Sequence, residues 1–264
     1  MNKYVVGVDL GGTKISTALA DFEGNVLAQS IIPTNAHEGE ERVLERIINT
    51  IQSVIKEGEV NLEDVKAIGI GSPGPLDSQK GIIIKTPNLP FTNFNLVRPL
   101  EVKFGVPVFL DNDANVAAIG EYMLGAGRGK KNMVYFTVST GVGGGAIVDG
   151  NIYRGNTSNA LEIGHTTVAP FGPRCGCGNV GCLEAVSSGT AIGKRGREAV
   201  ATKVETSLKD YENVTSYEVF KEAEKGDAVA KDIIEDALSY LGIGIANAIS
   251  IFCLLYTSDA ADEL

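Results

Sequence analysis

No uninterrupted apolar run in this sequence is long enough to cross a bilayer, which excludes a membrane-spanning helix. No secretory leader is expected: the chain opens MNKYVVGVDLGGTK, where an acidic residue and a glycine turn cut short any apolar core. Basic side chains are in deficit, 23 Lys and Arg against 33 Asp and Glu. The net charge of −10, with both signs mixed along the chain, argues against a nucleic-acid-binding surface. These absences leave a cytoplasmic protein with no membrane or nucleic-acid partner as the expectation. The 44% of hydrophobic residues can fill the core of one large domain or two ordinary ones. Tryptophan is absent and cysteine scarce. Of four cysteines, three crowd into CGCGNVGC, Cys175 to Cys182. In a reducing compartment such a cluster points to metal or redox chemistry before disulfides.

Strand and helix periods alternate along the chain. KYVVGVDL reads as a β-branched strand turned by GGTK, ISTALAD follows as a second strand, and FEGN turns into VLAQSII. Val43, Leu44, Ile47, Ile48, Ile51, Val54 and Ile55 recur at helical spacing. AIGIGS and VPVFLDND read as further strands, and ANVAAIGEYMLG as a helix closed by Gly125. The opening pattern then returns in MVYFTVSTGVGGGAIVDGNIY: strand, glycine turn, strand, short turn, strand, with Asp149-Gly150-Asn151 echoing Glu23-Gly24-Asn25. The repeat predicts two related α/β lobes, each offering a glycine turn to a shared cleft. The last third is helical. Thr215 and Glu218 form a capping box, Gly226 ends that helix, and Asp227 caps the next. The apolar face of that next helix runs through Ile233, Ile234, Ala237, Leu238, Leu241, Ile245 and Ile249.

Three groups of residues carry chemistry. DLGGTK, Asp9 to Lys14, lacks Walker A spacing, but glycines at a strand end admit an anion to backbone N–H groups. Asp9 could hold a magnesium ion, directly or through water. A plain hairpin turn is the other reading, and the second turn, STGVGGG, tips the balance toward two anion cradles suited to a polyphosphate such as ATP. In LDNDAN, Asn112 and Asp113 could grip neighbouring hydroxyls of a polyol, with Asp113 taking a proton in phosphoryl transfer; a capping carboxylate is the equal alternative. His165 in EIGH joins Cys175, Cys177 and Cys182 as one imidazole and three thiolates, the ligand count of a closed tetrahedral zinc site. Glycines 176, 178 and 181 allow a tight wrap. A C-x-x-C pair at a helix start, which redox work would favour, is absent. Glu162 and Glu184 flank the cluster and could bind hydroxyls.

These motifs, in this order and spacing from residue 4 to about 252, resemble the ROK family of bacterial sugar kinases and sugar-responsive repressors. The resemblance implies the actin-like, ribonuclease-H-like ATPase fold, with two α/β lobes around a cleft, divided at residues 1–112 and 113–252. It implies ATP and magnesium as co-substrates, a structural zinc ion, and a hexose as substrate, glucose before fructose, mannose or an N-acetylhexosamine. Asp113 then corresponds to the catalytic base. Gly74, Asn88, Asn112, Glu162, His165 and Glu184 correspond to the sugar set, and His165, Cys175, Cys177 and Cys182 to the zinc ligands. Asp9, Gly11, Gly12, Thr13 and Lys14, with Thr140, Gly141 and Gly143, correspond to the nucleotide side. The family often forms dimers or tetramers, so a homodimer or homotetramer is expected of the full-length protein. Leu161 stands where glycine is common, and Phe91 and Phe94 lie where many glucokinases carry a tryptophan. A repressor would need a helix-turn-helix ahead of the sugar domain, and the first strand already begins at Tyr4.

From Cys253 the sequence CLLYTSDAADE departs from the family and reads like a translated sequencing adapter. Residues 253–264 are therefore expected to be non-native and the second lobe C-terminally truncated, with weak or no turnover.

Overall fold

The computed structural model describes residues 3–86, 88–202 and 204–254. Period-two burial builds the first sheet. In β1 (Tyr4–Leu10) Val6, Val8 and Leu10 turn inward while Gly7 and Asp9 face out. In β2 (Lys14–Asp21) Ile15, Thr17 and Leu19 do the same. With β3 (Val26–Pro33), β4 (Val65–Ser72) and β8 (Val108–Asn112) they form one five-stranded sheet in the order β3-β2-β1-β4-β8. β1, β2 and β3 pair antiparallel, whereas β4 lies parallel to β1 and β8 parallel to β4. A parallel neighbour needs a crossover, and α1 (Glu40–Glu57) supplies the one from β3 to β4. Its Val43, Ile47, Thr50, Ile51 and Val54 fall on one buried face, as the spacing predicts. Thr50 is the polar exception. It donates to the Ile47 carbonyl at 2.9 Å and accepts from Thr17 Oγ1 at 2.8 Å, so its burial leaves no hydroxyl unpaired. Each aliphatic side chain of that face contributes on the order of 1.5–3 kcal/mol by leaving water.

A small antiparallel sheet of β5 (Leu76–Asp77), β6 (Ile82–Lys85) and β7 (Thr92–Asn95) follows β4. Phe91 beside it is fully buried and stacks on Phe94 with ring centroids 4.8 Å apart, so this ring belongs to the core. α2 (Val97–Phe104) leads into β8, and α3 (Asp113–Leu124) leaves it.

The repeated strand pattern folds as the sequence predicts. β9 (Met133–Val138), β10 (Val142–Val148) and β11 (Asn151–Ile152) form a second antiparallel sheet in the order β11-β10-β9. Asp149 and Gly150 both take positive φ, 50° and 80°, the backbone that a two-residue hairpin turn demands. Beyond come α4 (Leu183–Ser187), α5 (Gly189–Ala201), α6 (Ser216–Lys225) and α7 (Ala228–Phe252). The capping box of Thr215 and Glu218, the left-handed Gly226 and the Asp227 cap are all in place. The apolar face of α7 departs from expectation: Ile233, Ile234 and Ala237 are buried, but Leu238 is 56% exposed and Ile245 37%.

The chain divides into two compact units, Met1–Gly129 with Ile152–Ala160, and Lys130–Asn151 with Leu161–Leu264. The division therefore falls later than the expected 112/113, because α3 packs on β4 and β8 of the first sheet. Of the tail expected to be non-native, Cys253 closes α7 in a left-handed cap. Residues 255–264 lie outside the described residues.

Candidate functional site

In the first unit, acidic groups gather where three parallel strands end. Gly71 on β4 stands in register with Asp9 on β1 and Asp111 on β8, and a Cβ on Gly71 would lie 3.6 Å from Asp113 Cα. Asn112, not Asp113, caps α3: its Oδ1 accepts from Ala114 N at 2.9 Å and Asn115 N at 3.4 Å. Asp113 is the first helical residue. Its Oδ1 accepts from Ala114 N at 2.8 Å, which leaves the other oxygen uncommitted among the described residues. Although Asp113 stays accessible, its carboxyl is raised above the ordinary range, first by loss of water around it and further by the negative charge of Asp9. Gly74 lines the same place, since a Cβ there would meet Asn112 Nδ2 at 3.6 Å and Asn159 Oδ1 at 3.5 Å.

The first glycine turn lies at this end of the sheet. Gly11 N donates to the Lys14 carbonyl at 3.0 Å and so is spent inside the hairpin, as is its carbonyl on Thr34 Oγ1 at 2.6 Å. The N–H groups of Gly12 and Thr13 have no acceptor among the described residues. Gly12 must be glycine because a Cβ would sit 2.6 Å from Asn88 Cβ, which brings the turn against a residue of the expected sugar set.

Sequence reasoning missed the group that holds this end of the first unit together. Buried Asp111 accepts from Asn112 N at 2.8 Å, from Asn115 Nδ2 at 3.0 Å and from Arg154 Nε at 2.8 Å. Ser78 and Ser158 hydroxyls meet at 2.9 Å. Residues 152–160, which begin at the last residue of β11, thus belong to the first unit and set Asn159 beside Gly74. The extra acid in LDND was the available signal; nothing in the sequence pairs it with Arg154.

In the second unit, the turn between β9 and β10 comprises Ser139, Thr140 and Gly141. Gly143 lies within β10, in register with Thr137, so it belongs to the ladder and not to the turn. The N–H groups of Thr140 and Gly141 have no acceptor among the described residues, while Gly189 N and Thr190 N at the start of α5 hold the Ser139 and Thr140 carbonyls. Beside this turn opens a cavity of about 590 Å³ lined by Thr140, Thr190, Gly193, Arg197, Ser216 and Leu241 among others. The sequence reading did not foresee that cavity.

His165, Cys175, Cys177 and Cys182 converge as expected, with their ligand atoms all within 4.8 Å of one another. Cys177 Sγ lies 3.7 Å from Cys182 Sγ, and Cys175 Sγ 3.7 Å from His165 Nδ1. Tetrahedral zinc with Zn–S bonds near 2.3 Å separates two sulfurs by about 3.8 Å, so the donor set fits that ion. The thiols carry the complementary signal. Burial raises Cys175 and pushes Cys182 up to about 12, a penalty that a bound divalent cation reverses, whereas the Asn179 N–H lowers the exposed Cys177. Two glycines make the wrap possible. Gly178 and Gly181 have φ of 95° and 68°, and a Cβ on Gly181 would fall 1.6 Å from the Ala169 carbonyl. Gly176 faces open space, so its expected role in the wrap is not required. Glu162 precedes the short 3-10 helix Ile163–His165, and Glu184 lies in the first turn of α4.

The first unit is that of a ribonuclease-H-like ATPase: a 3-2-1 antiparallel meander continued by parallel strands, with acids at the strand ends. The second unit repeats the meander and adds a His-Cys₃ cluster. The sequence profile of the ROK family matches residues 5–254, and the chain belongs to that family. It is 39% identical over 251 residues to a glucokinase of Halalkalibacterium halodurans, covering 93% of this chain and 76% of the relative. It is 32% identical to a xylose repressor of Caldicellulosiruptor bescii, covering 94% of this chain and 63% of the repressor. Among solved structures, a ROK hexokinase from Thermus thermophilus superposes with a TM-score of 0.81 at 40% identity, over 94% of this chain and 78% of that one. A Streptomyces griseus ROK glucokinase solved with glucose and AMPPNP gives 0.76 at 31%, over 94% and 80%. The fold is the actin-like ATPase fold of these proteins.

Proposed function

We propose that this chain is an ATP-dependent sugar kinase that phosphorylates a hexose, glucose first, with Asp113 as general base. The observation that carries the reading is the Asp113 carboxylate: one oxygen fixed by the helix, the other uncommitted, beside Asp9 at the strand ends. A positioned carboxylate of this kind accepts the proton of the attacking hydroxyl as its oxygen bonds to the γ-phosphorus and the bond to ADP breaks. The glucokinase relatives support glucose, and the glucose and AMPPNP complex of the Streptomyces protein supports ATP.

In this reading Gly74, Asn88, Asn112, Glu162, His165 and Glu184 hold the sugar. The unpaired N–H groups of Gly12, Thr13, Thr140 and Gly141, with Lys14, receive phosphate oxygens, and the cavity beside Thr140 receives the nucleoside. Gly11 and Gly143 contribute through turn and ladder geometry instead. Zinc on His165, Cys175, Cys177 and Cys182 would fix the imidazole and the flanking Glu162 and Glu184. Magnesium held by Asp9 would neutralise phosphate charge.

The test is a hexose panel (glucose, fructose, mannose, N-acetylglucosamine) followed for ATP-dependent phosphorylation and, separately, for binding by calorimetry. Glucose is expected to bind and to be phosphorylated. Asp113→Asn is expected to lower kcat by about 10²–10⁴ while leaving hexose affinity largely intact. Near-normal turnover in that variant sinks the base assignment. The similarity to a xylose repressor carries the second reading, a sugar-sensing regulator, and hexose binding without transfer in the wild-type chain would favour it.

A further inference from the structure

Glu184 reaches beyond the cluster it flanks. Its Oε2 accepts the N–H of Val142, the first residue of β10, at 3.1 Å. Its Oε1 lies 3.9 Å from Cys175 Sγ. One carboxylate therefore touches both the cysteine cluster and the glycine turn of the second unit. Gly141 registers this contact. A Cβ built there would meet Glu184 Oε2 at 2.5 Å and Cδ at 3.4 Å, and no other atom within 4 Å. Its φ does not lie in the left-handed region, so the backbone alone would accept alanine. A side chain at Gly141 would therefore have to displace the Glu184 carboxylate, the mobile end of that residue.

The turn is gripped from its other end by the same stretch of chain. α4, which carries Glu184, runs directly into α5, whose Gly189 and Thr190 N–H groups hold the Ser139 and Thr140 carbonyls at 2.8 and 3.3 Å. The turn thus sits between a carboxylate at Val142 and two amides at Ser139 and Thr140.

We propose that Glu184 is a positioning residue for the β9–β10 turn, linking the hexose and metal side of the second unit to the phosphate side through Gly141 and Val142. The inference rests on the kinase reading for the identity of the two ligands. It makes Gly141, a residue of the phosphate turn, a determinant of hexose affinity. Displacing the carboxylate by one methyl group perturbs the sugar side without removing any sugar-binding atom.

Two measurements test it. Calorimetry of glucose binding without nucleotide is expected to show about tenfold weaker affinity in Gly141→Ala, the loss of roughly one well-placed hydrogen bond. Unchanged glucose affinity, with only ATP-analogue binding weakened, overturns the link. The second is a double-mutant cycle in melting temperature. Gly141→Ala should lower Tm when Glu184 is present and have no effect in a Glu184→Ala background; equal losses in both overturn the proposal. Glu184→Gln, which keeps a side-chain oxygen for Val142 N–H, should retain the turn and the Gly141→Ala penalty. A wild-type chain that binds no hexose would end the kinase reading, while the melting cycle would still report on Glu184 and Gly141.

Discussion

In the proposed mechanism Asp113 accepts a proton and works only when ionised, so its raised pKa would set the acid side of the activity profile. Its kcat/KM is expected to fall as pH drops through a value above the ordinary aspartate range of about 3.9. Loss of surrounding water is the larger cause and the charge of Asp9 an additional one. Asp9→Asn is therefore expected to move the limb to lower pH, read either from kcat/KM or from the carboxyl resonance of Asp113 by NMR; an unmoved limb refutes the electrostatic contact. Leu161 offers a second prediction at this scale. It holds φ of 61°, where a side chain costs roughly 1–2 kcal/mol and glycine costs none. After the greater flexibility that glycine brings to the unfolded chain and the loss of a half-buried leucine side chain, Leu161→Gly is expected to leave stability within about 1 kcal/mol of the wild type, measurable as the chemical-denaturation midpoint. Leu161 was noticeable in the sequence as a departure from the family's glycine. Its conformation was not, because φ at that residue is imposed by the turn into Ile163–His165.

The loop from Pro173 to Cys182 is the element that gathers the three thiols. Backbone bonds shape it, with Cys175 N donating to Asn179 O at 2.8 Å and Gly181 N to Pro173 O at 2.9 Å. Three thiols and an imidazole nevertheless sit within one ion's reach. Cys177→Ser is expected to lower bound zinc, about one ion per chain in the wild type if the four-ligand site is filled. It should also lower Tm to about that of the chelator-treated wild type; unchanged metal content would contradict the ligand set. This cluster was visible in the sequence as a ligand count, three cysteines within eight residues and a histidine ten positions before them, although its spacing is not that of a common zinc finger. The pairing of Asp111 with Arg154 was not readable. Those residues are 43 positions apart, and only the return of residues 152–160 to the first unit joins them.

Across the whole molecule, the two units bury their cores unequally. The first encloses β1, β2, β4 and β8 with α1, α2 and the small sheet; among the described residues β9 has no partner strand beyond β10, whereas β1 has β4. On α7, Leu238, Ile243, Ile245 and Ile251 are exposed. An open strand edge and exposed apolar side chains on a helix favour self-association. Replacing Ile245 and Ile251 with Lys is expected to reduce concentration-dependent light scattering by this chain without lowering Tm; undiminished scattering would place the sticky surface elsewhere. The sequence by itself determined the strand and helix periods, the repeated glycine-turn meander, the helix caps of the last third and the His-Cys₃ set. Each of these is written in residues close together or at a fixed local period. Tertiary structure decided that Asp111 holds Arg154 and that Glu184 reaches the turn at Gly141 and Val142. Those outcomes depend on distances between residues far apart in the chain, which packing fixes and local spacing does not encode.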